Sequence, residues 1–267
     1  MSRKDKPREV LSLTKLISAA SYRHHNYEIF ADFVEMAAIS ISNAVDIANQ
    51  EEREKQYLRI AKKYEPRELE RFPEMLDALV NELETGVSDV LGKTYHELEL
   101  HNKWAGQYFT PFTICQMMAK MTLGDVGQLP ECGYLTVGEP AAGSGAMVLA
   151  FSLEMKEAGF NYQTQIHVTA TDVDLKCVAM AYIQLSLLHI PAVVIHGDSL
   201  SLEEWSRWYT PAHILGLWSH KLRRRNQQSG AILEALALET EVQPIPPDVT
   251  FDVDDRGQGL LFGDDAA

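Results

Sequence analysis

Four short runs hold the residues whose types and spacing could do chemistry. Glu139-Pro140-Ala141-Ala142-Gly143-Ser144-Gly145 places two glycines between an apolar, β-branched run and a stretch with helical spacing. Glycine lets a backbone pass close to a ligand, and a helix start offers unpaired N–H groups and a positive dipole end. Thr171-Asp172-Val173-Asp174 ends the next β-branched run, and an ionised carboxylate there can accept hydrogen bonds from both hydroxyls of a ribose. His196-Gly197-Asp198-Ser199 closes a third such run, where Asp198 could accept from the exocyclic amine of an adenine. Gly106-Gln107-Tyr108-Phe109-Thr110-Pro111 precedes all three, with rings to lie against a cofactor and Thr110 to bond its carboxylate. Each run also has a plain structural reading. These are a tight β–α turn, a helix cap at Asp172 or Asp174, a cap or turn at Asp198, and a helix start with Thr110 as cap and Pro111 in the first position. Three such turns at three successive strand ends favour a cofactor site jointly, where each alone would not.

The elements that must position these residues follow from periodicity. Residues 27–103 read as a helical domain, after an N-terminal arm at 1–26. In YEIFADFVEMAAISISNAVDIA, residues Phe30, Phe33, Val34, Ala37, Ala38 and Ile41 share one face at helical spacing. EEREKQYLRIAKKY is a second amphipathic run. RELERFPEMLDALVNELETG is a third, which Pro73 either restarts or kinks and Gly86 ends. A fourth spans roughly 88–101. Residues 104–240 form the cofactor domain, with strands expected at 135–140, 166–172 and 192–198 and helical stretches between them. That alternation predicts an α/β fold with a parallel sheet, whose ligands bind at the carboxyl ends of the strands. Residues 241–267 are rich in Pro, Gly and Asp and read as an acidic, mostly disordered tail.

Composition narrows the class. Of 267 residues, 46% are hydrophobic and 23% charged, as in an ordinary globular protein, and no apolar run reaches membrane-spanning length. Cys115, Cys132 and Cys177 lie far apart, which argues against a zinc site or a disulfide framework and fits the cytoplasm. No metal is expected. The net charge of −14 excludes indiscriminate coating of nucleic acid, so any DNA-facing surface must be local. The basic run Lys221, Arg223, Arg224 and Arg225 is the candidate for it, with a solvated helix face as the plain alternative.

GQYFTP, EPAAGSG, ATDVD and HGDSL, in that order, resemble the motif set of gamma-type amino-methyltransferases acting on adenine N6 of DNA. The likeness is greatest to the methylation subunit of type I restriction-modification systems, and covers roughly residues 86–200. It implies a Rossmann-like, class I methyltransferase domain, expected here in truncated form, that binds S-adenosylmethionine. By that resemblance Tyr108, Phe109, Thr110 and Pro111 meet the methionine end. Glu139, Pro140, Ala141, Gly143, Ser144 and Gly145 form the cofactor loop, Asp172 and Val173 hold the ribose, and Asp198 and Ser199 lie near the adenine. Double-stranded DNA and a target-recognition partner protein are the implied partners. The family's (Asn/Asp/Ser)-Pro-Pro-aromatic catalytic motif, which holds the target amine and stacks the extruded base, has no match. Trp208-Tyr209-Thr210-Pro211 and Ile245-Pro246-Pro247-Asp248 are the nearest runs, which leaves Tyr209, Trp208 and His213 as catalytic candidates. The expected function is an adenine-N6 DNA methyltransferase of reduced or partner-dependent activity. The alternatives are an inert cofactor-binding accessory protein and a methyltransferase acting on RNA or protein. Gln258, Leu261 and Phe262 also resemble a sliding-clamp peptide, against the plainer reading that this tail folds back on its own core.

Overall fold

The computed structural model of the chain describes residues 11–20, 23–98, 109–124 and 129–227. Residues 1–222 form one compact unit and 223–267 a second, of which only 223–227 are described, as helix. Among the described residues no helix is long and apolar enough to cross a membrane. The acidic tail, with Gln258, Leu261 and Phe262, lies outside the described residues, as does Tyr108.

The first part of the chain is helical, as its periodicity predicts. It comprises α1 (Leu13–Ala20), α2 (Asn26–Asn43), a 3-10 turn (Ile47–Asn49), α3 (Gln50–Ala61), α4 (Pro66–Leu69), α5 (Arg71–Glu84) and α6 (Val90–Glu97). The expected face of α2 is buried at Phe30, Phe33, Val34, Ala37 and Ala38. Ile29, Met36 and Ile39 are buried as well, because α2 is packed by both α3 and α10. Pro73 falls in the first turn of α5, where its missing N–H costs no intrahelical bond. One expectation needs correction. Part of the N-terminal arm at 1–26 is α1, whose Leu13 and Ile17 are fully buried one turn apart in the core.

The second part contains α7 (Phe112–Leu123), β1 (Leu135–Glu139), α8 (Ala146–Glu157), α9 (Tyr162–Gln165) and β2 (Ile166–Asp172). It continues with α10 (Leu175–Leu187), β3 (Ala192–Asp198), β4 (Glu203–Tyr209) and α11 (Pro211–Leu215). The three expected strands form where the β-branched runs lie. They pair in parallel, Val137 beside Val168 and Val168 beside Ala192, so Glu139, Asp172 and Asp198 end at one edge. Because β1→β2→β3 steps one way across the sheet, right-handed crossovers carry α8 and α10 to the same face. There α10 is buried continuously from Lys176 to Ser186, between the sheet and α2. Helical layer and sheet therefore share one core. To the parallel sheet expected from the sequence the structure adds a fourth strand. β4 pairs antiparallel to β3, with a bulge at His196/Gly197.

A buried cation joins the helices to β4. Arg53 bonds the Ser42 hydroxyl, lies 2.7 Å from an Asp46 carboxylate oxygen, and donates to the Arg207 carbonyl at 2.8 Å. Its guanidinium stacks 4.1 Å from the centroid of the Trp208 ring. Removing one member of such a pair leaves the other charge buried and uncompensated. Arg53→Ala should therefore destabilise the fold by about 3–5 kcal/mol, read as a lowered urea midpoint with an unchanged slope. A loss under about 1 kcal/mol would show that the pair carries little.

Candidate cofactor site

The loop after β1 is built by its own acceptors. Gly143 and Gly145 both take positive φ, +53° and +92°, which L side chains rarely adopt. A Cβ on Gly143 would come within 3.0 Å of the Phe109 ring. A Cβ on Gly145 would meet Ala181 of α10 at 3.4 Å, an ordinary contact, so its positive φ rather than space asks for glycine there. The Glu139 carboxylate accepts from the Ala141 N–H at 3.0 Å, and the Thr171 carbonyl accepts from the Ala142 N–H at 2.8 Å. Asp172 Oδ2 accepts from the Gly143 N–H at 2.8 Å, and the Ala142 carbonyl accepts from the Gly145 N–H at 2.7 Å. Asp172 Oδ1 accepts from the Asp174 N–H at 2.9 Å, and Asp174 in turn caps α10 through the Lys176 N–H at 2.9 Å.

This arrangement surrounds a cavity of about 450 Å³. It is lined by Phe109, Thr110, Ala141, Gly143, Ser144, Asp172 and Val173 of the expected set. Cys115, Met147, Asp174 and Cys177 also line it. Sequence reasoning does not single out Cys115, Met147 or Cys177 as lining; their signal is the helical register of α7, α8 and α10, visible only once the loop is placed. Val173 is 60% exposed, and Phe109 stacks edge-on against Tyr95 at 5.0 Å. The α7 helix begins one residue later than expected, with Pro111 rather than Thr110 as its cap and no side-chain bond there. Ser144 is 1% exposed and donates its hydroxyl to Asp89 Oδ2 at 2.6 Å, so that group faces away from any ligand. Among the described residues no Lys or Arg lines the cavity. The nearby Lys176 ammonium sits 3.2 Å from Asp174; burial works to lower its pKa, but Asp174, Tyr95 and Tyr27 together outweigh burial and raise it.

The remaining expected residues fall elsewhere. Glu139, Pro140, Asp198 and Ser199 line a second cavity of about 400 Å³ with Gly138 and Thr171. Burial raises the Glu139 carboxyl above its usual range against the Ala141 N–H. The Leu200 N–H, 2.9 Å from Asp198, holds that carboxyl below its own. In the second unit Arg223 and Arg224 are exposed and Arg225 half-buried. In the first, Lys221 is exposed and lies 4.4 Å over the Trp218 ring.

The catalytic candidates are at the wrong end of the sheet. Because β4 runs antiparallel, Tyr209 pairs with Val193 at the start of β3, while Glu203 pairs with Asp198 at its end. At about 3.3 Å per residue, Tyr209 stands roughly 17 Å from the carboxyl edge. Trp208 is 4% exposed beneath Arg53. Thr210 is buried, bonding the Ala192 N–H and the Ile190 carbonyl, both at 2.9 Å. His213 is buried in a chain, His167 Nε2 to His213 Nδ1 and His213 Nε2 to Ser219 Oγ, each 2.9 Å. These side chains pin β4 and α11 to the sheet; none faces the cavity.

Residues 87–229 match the N-6 DNA methylase family. The chain belongs to that family. Membership implies S-adenosylmethionine as the cofactor. Among solved structures, one similar chain is described as a class I S-adenosylmethionine-dependent methyltransferase of Listeria monocytogenes. It is 14% identical with a TM-score of 0.42, over 70% of this chain and 53% of that one. Another is the methyltransferase subunit of a type I restriction-modification system from Streptococcus thermophilus. It is 17% identical with a TM-score of 0.32, over 73% of this chain and 44% of that one. The chain thus spans about half the length of each. Among curated proteins none matches.

Burial holds His167 neutral, lowering its pKa from 6.5 to about 4, and burial lowers His213 as well. As pH falls through that window the unfolded chain takes up protons that the folded chain refuses, so stability must fall with it. We expect a loss on the order of 2 kcal/mol between pH 7 and pH 4.5, read from urea midpoints. His167→Asn should flatten that dependence relative to the parent, and an identical slope in both would contradict the assignment.

Proposed function

We propose that the chain binds S-adenosylmethionine in the cavity between Phe109 and Asp172 and serves methylation of adenine N6 in DNA. The observation that carries this reading is the state of the loop N–H groups. A phosphate cradle needs free backbone donors aimed at the ligand. Here the Ala141, Ala142, Gly143 and Gly145 donors are each answered by an acceptor of the chain itself, two of them carboxylates. With two carboxylates and no Lys or Arg among the described residues that line it, the cavity disfavours a pyrophosphate. It suits an adenosyl group carrying a sulfonium.

The residues present fit that group. Asp172 retains lone pairs for the ribose hydroxyls beyond the two N–H bonds it accepts. The exposed Val173 side chain offers an apolar platform for the adenine, and Thr110 and Phe109 flank the methionine end. When bound, S-adenosylmethionine supplies an electrophilic methyl group. The chain's part is to bind and orient it at the carboxyl edge. The side chains that must accept the target amine and stack an extruded base have no counterpart in Trp208, Tyr209 or His213, given where these lie. We therefore assign that half of the reaction to a partner chain, with duplex DNA as substrate and the cytoplasm as its place. Lys221 and Arg223 to Arg225 would contact phosphates, and Gln258, Leu261 and Phe262 would dock a sliding clamp. A clamp pull-down that survives Leu261→Ala plus Phe262→Ala would remove the last assignment.

Calorimetry with S-adenosylhomocysteine should show binding that Asp172→Ala weakens by about 1–3 kcal/mol, or roughly 5- to 150-fold. The pure chain should transfer labelled methyl to adenine-containing duplex DNA slowly or not at all without its partner. Robust transfer by the pure chain would show that the acceptor residues are its own.

A further inference from the structure

The loop is held not only from β2 but also from the helical layer, by a residue that the cofactor reading does not use. Asp89, the N-cap of α6, is 8% exposed and spends its carboxylate on three bonds. Oδ1 accepts from the Gly92 N–H at 3.0 Å and from Gln184 Nε2 at 2.9 Å, and Oδ2 accepts from the Ser144 hydroxyl at 2.6 Å. Gln184 of α10 is fully buried and completes the set. Its Nε2 donates also to the Ser144 carbonyl at 2.8 Å, and its Oε1 accepts from the Leu91 N–H at 3.1 Å. Ser144 is thus bonded at both side chain and backbone, between two glycines that each need positive φ. Gly92 leaves the room for this, since a Cβ there would stand 2.7 Å from Ser144 Oγ and 2.0 Å from Asp89 Oδ2.

A cap of α6 requires one backbone acceptor bond, which Gly92 satisfies. The other two bonds reach across to α10, whose Gln184 also answers the Leu91 N–H of α6, and to the cofactor loop. A buried carboxylate without partners is costly, and bonds in such a network strengthen one another. We propose that Asp89 is the positioning residue of the cofactor loop, fixing Ser144 so that the Gly143 and Gly145 backbone keeps its cofactor-binding shape. The inference rests on the reading of the Phe109–Asp172 cavity as the S-adenosylmethionine site.

The test is calorimetric titration of S-adenosylhomocysteine into the full chain and into Ser144→Ala, Asp89→Ala, Asp89→Asn and the Ser144→Ala/Asp89→Ala pair, with thermal melts of each. Ser144→Ala removes one hydroxyl and keeps the test alive should Asp89→Ala fail to fold. Ser144→Ala and Asp89→Ala should each weaken binding at least about tenfold. The pair should be no weaker than Asp89→Ala alone, because the bond that Ser144→Ala removes is already lost in Asp89→Ala. Asp89→Asn, which keeps an oxygen for Gly92 and Gln184, should recover part of the loss. A purely structural Asp89 would lower the melting temperature while leaving the dissociation constant within twofold in every variant, and that result would overturn the inference. Failure of the unaltered chain to bind would instead sink the cavity reading, and the inference with it.

Discussion

The carboxylate of Asp172 is the interaction on which the site turns. It ends β2, so the sheet register fixes its height, and it then accepts one N–H from the glycine loop and one from the turn into α10. A single residue thereby ties the carboxyl ends of two parallel strands to the starts of two helices. The Gly143 N–H is taken from within by that carboxylate and is not a free donor for a phosphate. What remains for a ligand is the outward side of the same carboxylate, an apolar platform at Val173, and a ring over Gly143. The chemistry of the site follows from which donors are already satisfied.

Positive φ at Gly143 and Gly145 is tolerated because the surroundings over-determine it. Asp172 holds the loop from the sheet side, and Asp89 with Gln184 holds it from the helical side. The helical layer is therefore part of the site's construction, and the continuous burial of α10 between α2 and the sheet gives that construction its stiffness. Arg53 performs a comparable join at the far end, between α3 and β4, with no bearing on the cavity.

The parts of this arrangement that were legible in the sequence were those written in apolar periodicity. LTVGE, IHVTATD and AVVIHGD are β-branched runs closed by a glycine or an acid, and they are strands at those positions. The sequence EEWSRWY carries no such run, because β4 pairs with β3 alone and buries only Trp208. Its polarity concealed a strand, and with it the reversal of direction that follows. Tyr209 and His213 stand soon after Asp198 in the chain, so they read as its neighbours; the antiparallel return sends them to the opposite edge. Leu13 and Ile17, one turn apart, were a short signal beside a charged terminus and passed for an arm. Ser144 misled for another reason. A serine inside a glycine loop looks like a ligand contact, and nothing in the local sequence reveals that Asp89, in a preceding helix, claims its hydroxyl.

The account stands or falls on where an adenosyl ligand sits. A crystal structure of the chain grown with S-adenosylhomocysteine tests it most directly. The ribose hydroxyls should lie within hydrogen-bond distance of Asp172, with the adenine against Val173 and the Gly143 N–H still bonded to the Asp172 carboxylate. A ligand seated instead in the second cavity against Asp198 and Glu139, with the Phe109–Asp172 cavity holding only solvent, would contradict it.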